Sequence, residues 1–180
     1  MKNLFSEIPT LENENINVRK LDYADSRFLS QFVKSEKVYK YLPTFLFEQQ
    51  YSDMCLMIKE LYEECFRKKE SLILGIYTKN ESELCGLAEF YGYKSTLQKT
   101  CIGYRLSDKY WGRGIATQTV ALMVDYLYSQ TDIEIITAST MIENKASARV
   151  LEKNGFIKTA TSVPEDWGYS TPTLADKWFR

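Results

Sequence analysis

Residues 110–117, YWGRGIAT, place two glycines one residue apart immediately before an apolar helical pattern. The first N–H groups of a helix have no partners inside the helix, and the helix dipole adds partial positive charge there. Glycine leaves room for an anion to reach those amides. Arg113 could add a charged contact and Thr117 a hydroxyl group. The spacing indicates either a phosphate-binding loop or a tight strand-to-helix turn without a ligand.

Two familiar phosphate-binding motifs fit this loop poorly. A P-loop requires a Lys-Ser or Lys-Thr pair after its last glycine, and Ile115 and Ala116 stand there instead. A dinucleotide fingerprint requires a third glycine, soon after a strand, and an acidic residue near the end of the next strand. Position 117 is Thr, five residues separate Leu106 from the first glycine, and Glu143 lies beyond the next predicted strand. A nucleotide-dependent oxidoreductase is therefore the least favoured interpretation.

The sequence contains no histidine. This excludes a Ser-His-Asp triad, a Cys-His pair and any imidazole base. Cys55, Cys65, Cys85 and Cys101 show no C-x-x-C spacing, so we expect free thiols and no metal site. Any chemistry must use carboxylates, Tyr, Ser, Lys, water or backbone groups.

Two longer blocks surround and follow the glycine loop: IGYRLSDKYWGRGIATQTVALMVDYLY at Ile102–Tyr128 and IENKASARVLEKNGF at Ile142–Phe156. The first matches the pattern G-Y-x-L…Y-W-G-x-G-x-A and the second N-x-x-S-x-x-x-L-x-x-x-G-F. Together, in this order and at this separation, they resemble the GNAT superfamily of acetyl-CoA-dependent N-acetyltransferases. More narrowly, the chain is similar to the RimJ/RimL-like branch, whose best-known members acetylate N-termini of ribosomal proteins. The resemblance extends to INVRKLDYAD at 16–25 and, loosely, to ADKWFR at 175–180.

The resemblance implies a binding site for acetyl-CoA. It assigns the pyrophosphate to the amides of the glycine loop, which here are Gly112, Arg113, Gly114, Ile115, Ala116 and Thr117. It lays the pantetheine and acetyl group along the main chain of Tyr104, Arg105 and Leu106. It also implies that Asn144 contacts the pantetheine and that Ser147 lies near the sulfur. Asn144 equally suits a helix N-cap, and Ser147 an ordinary first-turn serine.

Direct attack of an amine on a thioester needs no nucleophilic side chain and no metal, so the lack of histidine is compatible with it. The amine must be neutral, and an α-amine has a pKa of ~8 and a lysine amine ~10. A proton acceptor is therefore required. Backbone N–H groups at Arg105–Leu106 would stabilise the developing oxyanion. Ser147 is our candidate for the hydroxyl beside the leaving sulfur. The tyrosine that some relatives place seven residues after the Asn corresponds here to Leu151.

The proton acceptor is the least determined group. In some relatives of this branch it is proposed to be a glutamate late in the strand before the last hairpin, and Lys94 stands at the position we align with it. Glu89, five residues earlier, shares a strand face with Leu87 and Tyr91. Apolar neighbours raise the pKa of a carboxyl, so Glu89 is our candidate base. A solvated or salt-bridged Glu89, with Tyr91, Glu143 or a water chain as the base, remains the alternative.

One further segment, VPEDWGYSTPTLADKW at Val163–Trp178, joins the last two predicted strands. Its Glu165, Asp166, Trp167 and Tyr169 could form an acidic, aromatic rim for a cationic amine. A surface loop that closes the core with Trp167 is the simpler alternative.

Hydrophobic periodicity predicts the elements that must position these groups. Strands are predicted at Ile16–Leu21, Ser71–Thr78, Glu83–Tyr93, Cys101–Leu106, Ile133–Thr140, Phe156–Thr161 and Leu174–Arg180. Helices are predicted at Asp22–Val33, Glu36–Tyr41, Glu48–Lys69, Ile115–Gln130 and Lys145–Asn154, and a hairpin turn at Lys79–Ser82. With the resemblance, this order predicts one α/β domain of GNAT type over residues 1–180. We expect a central mixed, mostly antiparallel sheet flanked by helices on both faces.

Composition limits the partners. The 180 residues carry a net charge of −1, without the basic excess of a nucleic-acid binder. The longest apolar runs, such as Leu72–Tyr77, are too short to span a membrane, and the N-terminus lacks an export signal. We expect a cytoplasmic monomer or homodimer whose acceptor is an amine, on a protein N-terminus or a small molecule. The alternative function is a coenzyme A-binding module without catalysis, which Lys94 and the undetermined base favour.

Overall fold

The computed structural model describes residues 2–80 and 83–180, and these residues form one eight-stranded sheet. The strands are β1 (Leu11–Glu12), β2 (Ile16–Arg19), β3 (Ser71–Thr78), β4 (Leu84–Lys94), β5 (Lys99–Leu106), β6 (Ile135–Met141), β7 (Ile157–Glu165) and β8 (Thr173–Phe179). They lie in the order β1-β2-β3-β4-β5-β6-β8-β7. Among the described strands, β5 and β6 are parallel and the other neighbours antiparallel, which confirms the predicted mixed sheet.

The helices are α1 (Ser26–Phe32), α2 (Glu36–Tyr39), α3 (Met54–Met57), α4 (Glu64–Arg67), α5 (Ile115–Gln130) and α6 (Lys145–Lys153). A 3-10 segment, Pro43–Gln50, precedes α3, and a π-helical segment, Ile58–Glu63, joins α3 to α4. The predicted bounds of α5 are confirmed.

Strand β3 shows why helices cover both faces of the sheet. Its residues alternate between two apolar clusters, as the period of a strand requires. Leu72, Leu74 and Ile76 belong to the cluster that contains α5 and Leu151 of α6. Ile73 and Tyr77 belong to the cluster that contains apolar residues of α1 to α3. The sheet is thus buried on both sides, which confirms the predicted layer order.

The structure corrects two of the predicted elements and adds one that was not predicted. The helix predicted from Glu48 begins at Met54, because Asp53 caps it by accepting hydrogen bonds from the N–H groups of Cys55 and Leu56 at 2.8 and 3.3 Å. The last hairpin is longer than predicted, since β7 extends to Glu165. Strand β1 was not predicted because two residues show no periodicity. Part of the predicted turn, Glu81 and Ser82, lies outside the described residues.

Candidate functional site

A gap opens between β5 and β6 in the middle of the sheet. The two strands pair only where Lys99–Cys101 faces Ile135–Thr137. Beyond that point β5 continues along β4 to Leu106, whereas β6 continues along β8 to Met141. Within the described residues, one edge of β5 therefore has backbone groups without a neighbouring strand.

The amides that face this gap follow from strand geometry. The N–H of Ser107 bonds to the carbonyl of Cys85 in β4 at 2.9 Å. Backbone groups alternate in direction along a strand, and the β4–β5 register is regular from Cys101 to Leu106. The N–H groups of Tyr104 and Leu106 therefore point into the gap, and that of Arg105 points towards β4.

A cavity of about 710 Å³ fills the gap and extends past the end of the sheet. It gathers residues that lie far apart in the sequence. Of the predicted site residues, its lining includes Glu89, Tyr104, Arg105, Leu106, Gly112, Gly114, Ile115, Ala116, Thr117, Asn144 and Ser147. Arg113 is not part of this lining, and its guanidinium lies 5.2 Å from the ring centre of Tyr110.

The glycine loop ends at the N-terminus of α5. Gly112 and Gly114 have φ angles of +73° and +76°, in the left-handed region that favours glycine. Gly114 is the N-cap residue, and no side chain in the described part of the chain caps the helix. The amides of the first turn are therefore available to a ligand. The indole of Trp111 donates to the carbonyl of Leu106 at 2.9 Å, which fixes the loop against β5.

On the opposite wall, Asn144 and Ser147 begin α6. The Asn144 side chain accepts a hydrogen bond from the Ser147 N–H at 3.1 Å, so Asn144 is a helix N-cap. The Tyr104 hydroxyl donates to the Ser147 hydroxyl oxygen at 3.2 Å. Burial raises the pKa of Tyr104 to about 12, with the bond to Ser147 acting in the opposite direction. Leu151, one turn further on, is buried in the core.

Glu89 lies on the other face of the sheet from Tyr104, and its side chain lines the cavity. Burial raises the pKa of Glu89 to about 7; nearby Arg105 and a hydrogen bond with Ser71 oppose this shift, and nearby Glu48 adds to it. Tyr91 also lines the cavity, but burial raises its pKa well above the ordinary value. Lys94 pairs with Lys99 at the end of β4 and does not line the cavity.

Residues 15–157 match the acetyltransferase (GNAT) domain family. The chain belongs to the GNAT family. This confirms the resemblance, the fold and the acyltransferase class, and acetyl-CoA is the cosubstrate that the family implies. The single domain predicted over residues 1–180 stays a prediction.

The GNAT chain resembles named acetyltransferases over part of its length. It is 38% identical over 98 residues to the probable N-acetyltransferase YjcK of Bacillus subtilis, an alignment that covers 54% of each chain. It is 24% identical over 113 residues to the [ribosomal protein uS5]-alanine N-acetyltransferase of Escherichia coli, covering 59% of this chain and 58% of that one. The chain thus spans little more than half the length of these two relatives.

A solved structure matches nearly the whole GNAT fold. It is the microcin C7 self-immunity acetyltransferase MccE in complex with acetyl-CoA and AMP, with a TM-score of 0.81 and 19% identity. The match covers 93% of both chains. At this identity the likeness concerns the fold.

The sequence did not reveal one polar cluster of this GNAT domain. Glu48, fully buried in the 3-10 segment, receives both terminal nitrogens of the Arg105 guanidinium at 2.8 Å. The hydroxyls of Tyr39 and Tyr62 also donate to its carboxylate, at 2.6 and 2.9 Å. The Arg105 guanidinium lies 4.0 Å from the ring centre of Phe45. These partners come from four separate segments, so no local pattern indicated them.

The segment between the last strands contributes to the cavity of the GNAT domain. Glu165, Asp166 and Trp167 line it. Tyr169 instead donates its hydroxyl to the Lys40 carbonyl at 3.2 Å, which fastens the loop beside α2. The indole nitrogen of Trp167 and one oxygen of Glu165 are buried without a hydrogen-bond partner among the described residues. The other oxygen of Glu165 pairs with Lys177 at 2.7 Å.

The described residues of the GNAT chain contain neither a metal-binding cluster nor a membrane-spanning helix. Within residues 2–80 and 83–180, no group of three or more His, Cys, Asp or Glu side chains is placed to hold a metal ion. No helix in the same ranges is long and apolar enough to cross a membrane.

Proposed function

We propose that this GNAT domain transfers the acetyl group of acetyl-CoA to a primary amine by direct attack. One observation carries the proposal: a single cavity joins the glycine loop, the unpaired edge of β5, Ser147 and Glu89. A donor and an acceptor could therefore meet in it without a covalent enzyme intermediate.

The donor is assigned to the half of the cavity beside α5. Uncapped amides at Ile115, Ala116 and Thr117, with the positive end of a 16-residue helix, suit a pyrophosphate. Gly112 and Gly114 present backbone without side chains there. Asn144 already caps α6, and its side chain lines the cavity, so it can also contact the pantetheine.

The carbonyl of the thioester is assigned to the unpaired edge of β5. The N–H groups of Tyr104 and Leu106 face this gap and would donate to the oxyanion as it forms. Arg105 contributes differently, because its N–H points towards β4 and its side chain binds Glu48.

Glu89 is assigned as the proton acceptor. Moving a proton from an α-ammonium of pKa ~8 to a carboxylate of pKa about 7 costs about 1.4 kcal/mol. The ordinary pKa of 4.5 would make the cost about 5 kcal/mol. Burial of Glu89 thus makes it a more effective base near neutral pH.

Ser147 is assigned to the leaving group. Glu89 first takes one proton from the ammonium, which leaves a neutral amine. As the C–N bond then forms and the C–S bond breaks, negative charge collects on sulfur and the second amine proton is released to solvent. The Ser147 hydroxyl would donate a hydrogen bond to that thiolate. A thiol has a pKa of ~8.5, so the thiolate can leave without complete proton transfer.

The acceptor is assigned to the part of the cavity beyond Glu89. Its walls include Tyr41, Phe45 and Trp167. The unpartnered indole nitrogen of Trp167 and oxygen of Glu165 are candidate contacts for a polar acceptor. The E. coli relative is named as an alanine N-acetyltransferase of ribosomal protein uS5, and a protein N-terminus or a small amine remains the predicted acceptor here. A cytoplasmic location and a monomeric or homodimeric state stay predictions.

The test measures thiol release from acetyl-CoA with a panel of peptides and small amines, and binding of acetyl-CoA, coenzyme A and NAD by calorimetry. We expect acetyl-CoA to bind and at least one amine to be acetylated. Binding without turnover for every acceptor would favour the coenzyme A-binding module. Binding of NAD but not of acetyl-CoA would contradict both.

A further inference from the structure

The Glu48–Arg105 ion pair lies beside the proposed base. Leu87 pairs with Arg105 and Glu89 with Gly103 across β4 and β5, so Glu89 and Arg105 point to the same face of the sheet. Arg105 is nevertheless turned to Glu48, which binds both of its terminal nitrogens. The cation next to Glu89 is thus already neutralised by another carboxylate.

The contacts of Glu48 are complete. Each of its two oxygens accepts one hydrogen bond from Arg105 and one from a tyrosine hydroxyl, Tyr39 or Tyr62. Both side chains of the ion pair are almost inaccessible to solvent, at 5% for Arg105 and 1% for Glu48. A buried ion pair of this kind is costly to form, and often no more stabilising than apolar residues of similar volume. Its presence therefore invites a functional explanation.

We propose that Glu48 is a positioning residue that holds Arg105 away from Glu89 and so keeps Glu89 free to accept a proton from the acceptor amine. The inference rests on the proposed role of Glu89 as base. Without Glu48, the guanidinium would have an unpaired charge and free donors beside a second carboxylate. An Arg–Glu89 pair would hold Glu89 ionised and make it a weaker base.

The other groups around Glu89 could not replace Arg105 as a cationic partner of its carboxylate. Ser71 on β3 bonds to its carboxylate, Tyr91 follows on β4, and the Cys65 thiol approaches from α4. These three groups carry no positive charge. Arg105 lowers the pKa of Glu89 and Glu48 raises it, so the ion pair contains two opposing influences that substitution can separate.

The experiment compares Glu48→Gln, Arg105→Gln and the double variant Glu48→Gln/Arg105→Gln with the unchanged chain. The pKa of Glu89 is followed directly by carboxyl ¹³C NMR, assigned with Glu89→Gln, and the acidic limb of kcat/KM is measured on the same proteins. Glu48→Gln should lower both by about one pH unit or more. Arg105→Gln should raise both, and the double variant should return towards the original values. Glu63→Gln, which removes a surface carboxylate paired with Lys20, is the matched control and should shift neither.

The opposite signs distinguish positioning from structural support. If the ion pair only supported the cavity wall, the pKa of Glu89 would shift in the same direction in both single variants. Shifts of equal sign, or an unmoved pKa in Glu48→Gln, would overturn the inference. If Glu48→Gln does not fold, the upward shift in Arg105→Gln still tests it. A shifted NMR pKa with an unmoved kinetic limb would instead reject Glu89 as the base.

Discussion

The phenolic hydroxyl of Tyr104 donates to the hydroxyl oxygen of Ser147 across 3.2 Å, joining β5 to the first turn of α6. A serine that accepts this bond keeps its own proton free for another acceptor. Tyr104 itself is a poor acid for a thiolate, because its pKa is about 12. The pair therefore suits a hydrogen bond to the leaving sulfur, oriented by Tyr104.

This arrangement predicts a coupled pair of substitutions. Ser147→Ala should lower kcat about 10- to 100-fold, the worth of one hydrogen bond to a charged group, with little change in the Kd of acetyl-CoA. Tyr104→Phe should lower kcat in the same direction. The double variant should lose no more than Ser147→Ala alone, which steady-state kinetics can measure. Tyr126→Phe, in the core on α5, is the control; additive losses would contradict the coupling.

The role of Glu89 predicts a change in the pH profile. With Glu89→Gln, kcat/KM should fall about 100-fold at pH 8, since general base catalysis commonly contributes at least that much. The acidic limb near pH 7 should disappear, because the group that causes it is absent. Rates measured from pH 5.5 to 9 on the purified variant test this. A normal rate with an intact limb would point to a water chain as the base.

The same substitution predicts a gain in stability with a defined pH dependence. The Glu89 carboxyl ionises near its ordinary pKa of 4.5 when unfolded and at about 7 when folded, so its charged form is disfavoured in the native state. Below pH 4.5 the Glu89 carboxyl is protonated in both the folded and the unfolded state, so it does not lower the stability of the unchanged chain. Above pH 7 Glu89→Gln should be more stable by up to about 3 kcal/mol. Chemical denaturation at pH 5 and pH 8 measures the difference; the exposed Glu134→Gln should show none.

The glycine loop predicts a loss of donor affinity. A Cβ at Gly114 has space within the protein, with Gln118 the nearest contact at 3.8 Å, but it would stand among the uncapped amides. Gly114→Ala should therefore weaken acetyl-CoA binding at least about 10-fold, besides a cost of about 1–2 kcal/mol for an L-residue at positive φ. Gly92→Ala imposes comparable backbone strain at φ +59° outside the cavity. Calorimetry should find unchanged affinity in that control.

Local patterns were sufficient to predict the residues that we assign to the acetyl donor. The two glycines, and likewise Asn144 and Ser147, lie within about one turn of the start of a helix. Residues that are close in the sequence are therefore also close in space. Strand β3 was likewise predicted from a continuous apolar run, and helix α5 from apolar residues at helical spacing. Here periodicity and tertiary burial agree.

The acceptor half depends on contacts between distant segments. The neighbouring sequence predicted Glu48 at the start of a helix. In the structure its carboxylate is bound by Arg105, 57 residues away. Lys94 was considered only because it aligns with the glutamate of some relatives. In the structure it pairs with Lys99 at the end of β4 and lies outside the cavity. Sequence spacing does not encode such cross-sheet relationships. The face of Glu89 was predictable, because period-2 alternation is local.

The short pairing of β5 with β6 has a mechanical consequence. Three residue pairs join the sheet on either side of the gap, while each half is broadly paired within itself. A cosubstrate that lies along the free edge of β5 would take the place of the missing strand and brace the two halves. Amide hydrogen exchange at Tyr104 and Leu106 would then slow when the cosubstrate binds. In this protein the cosubstrate would therefore also stabilise the sheet at the place where it reacts.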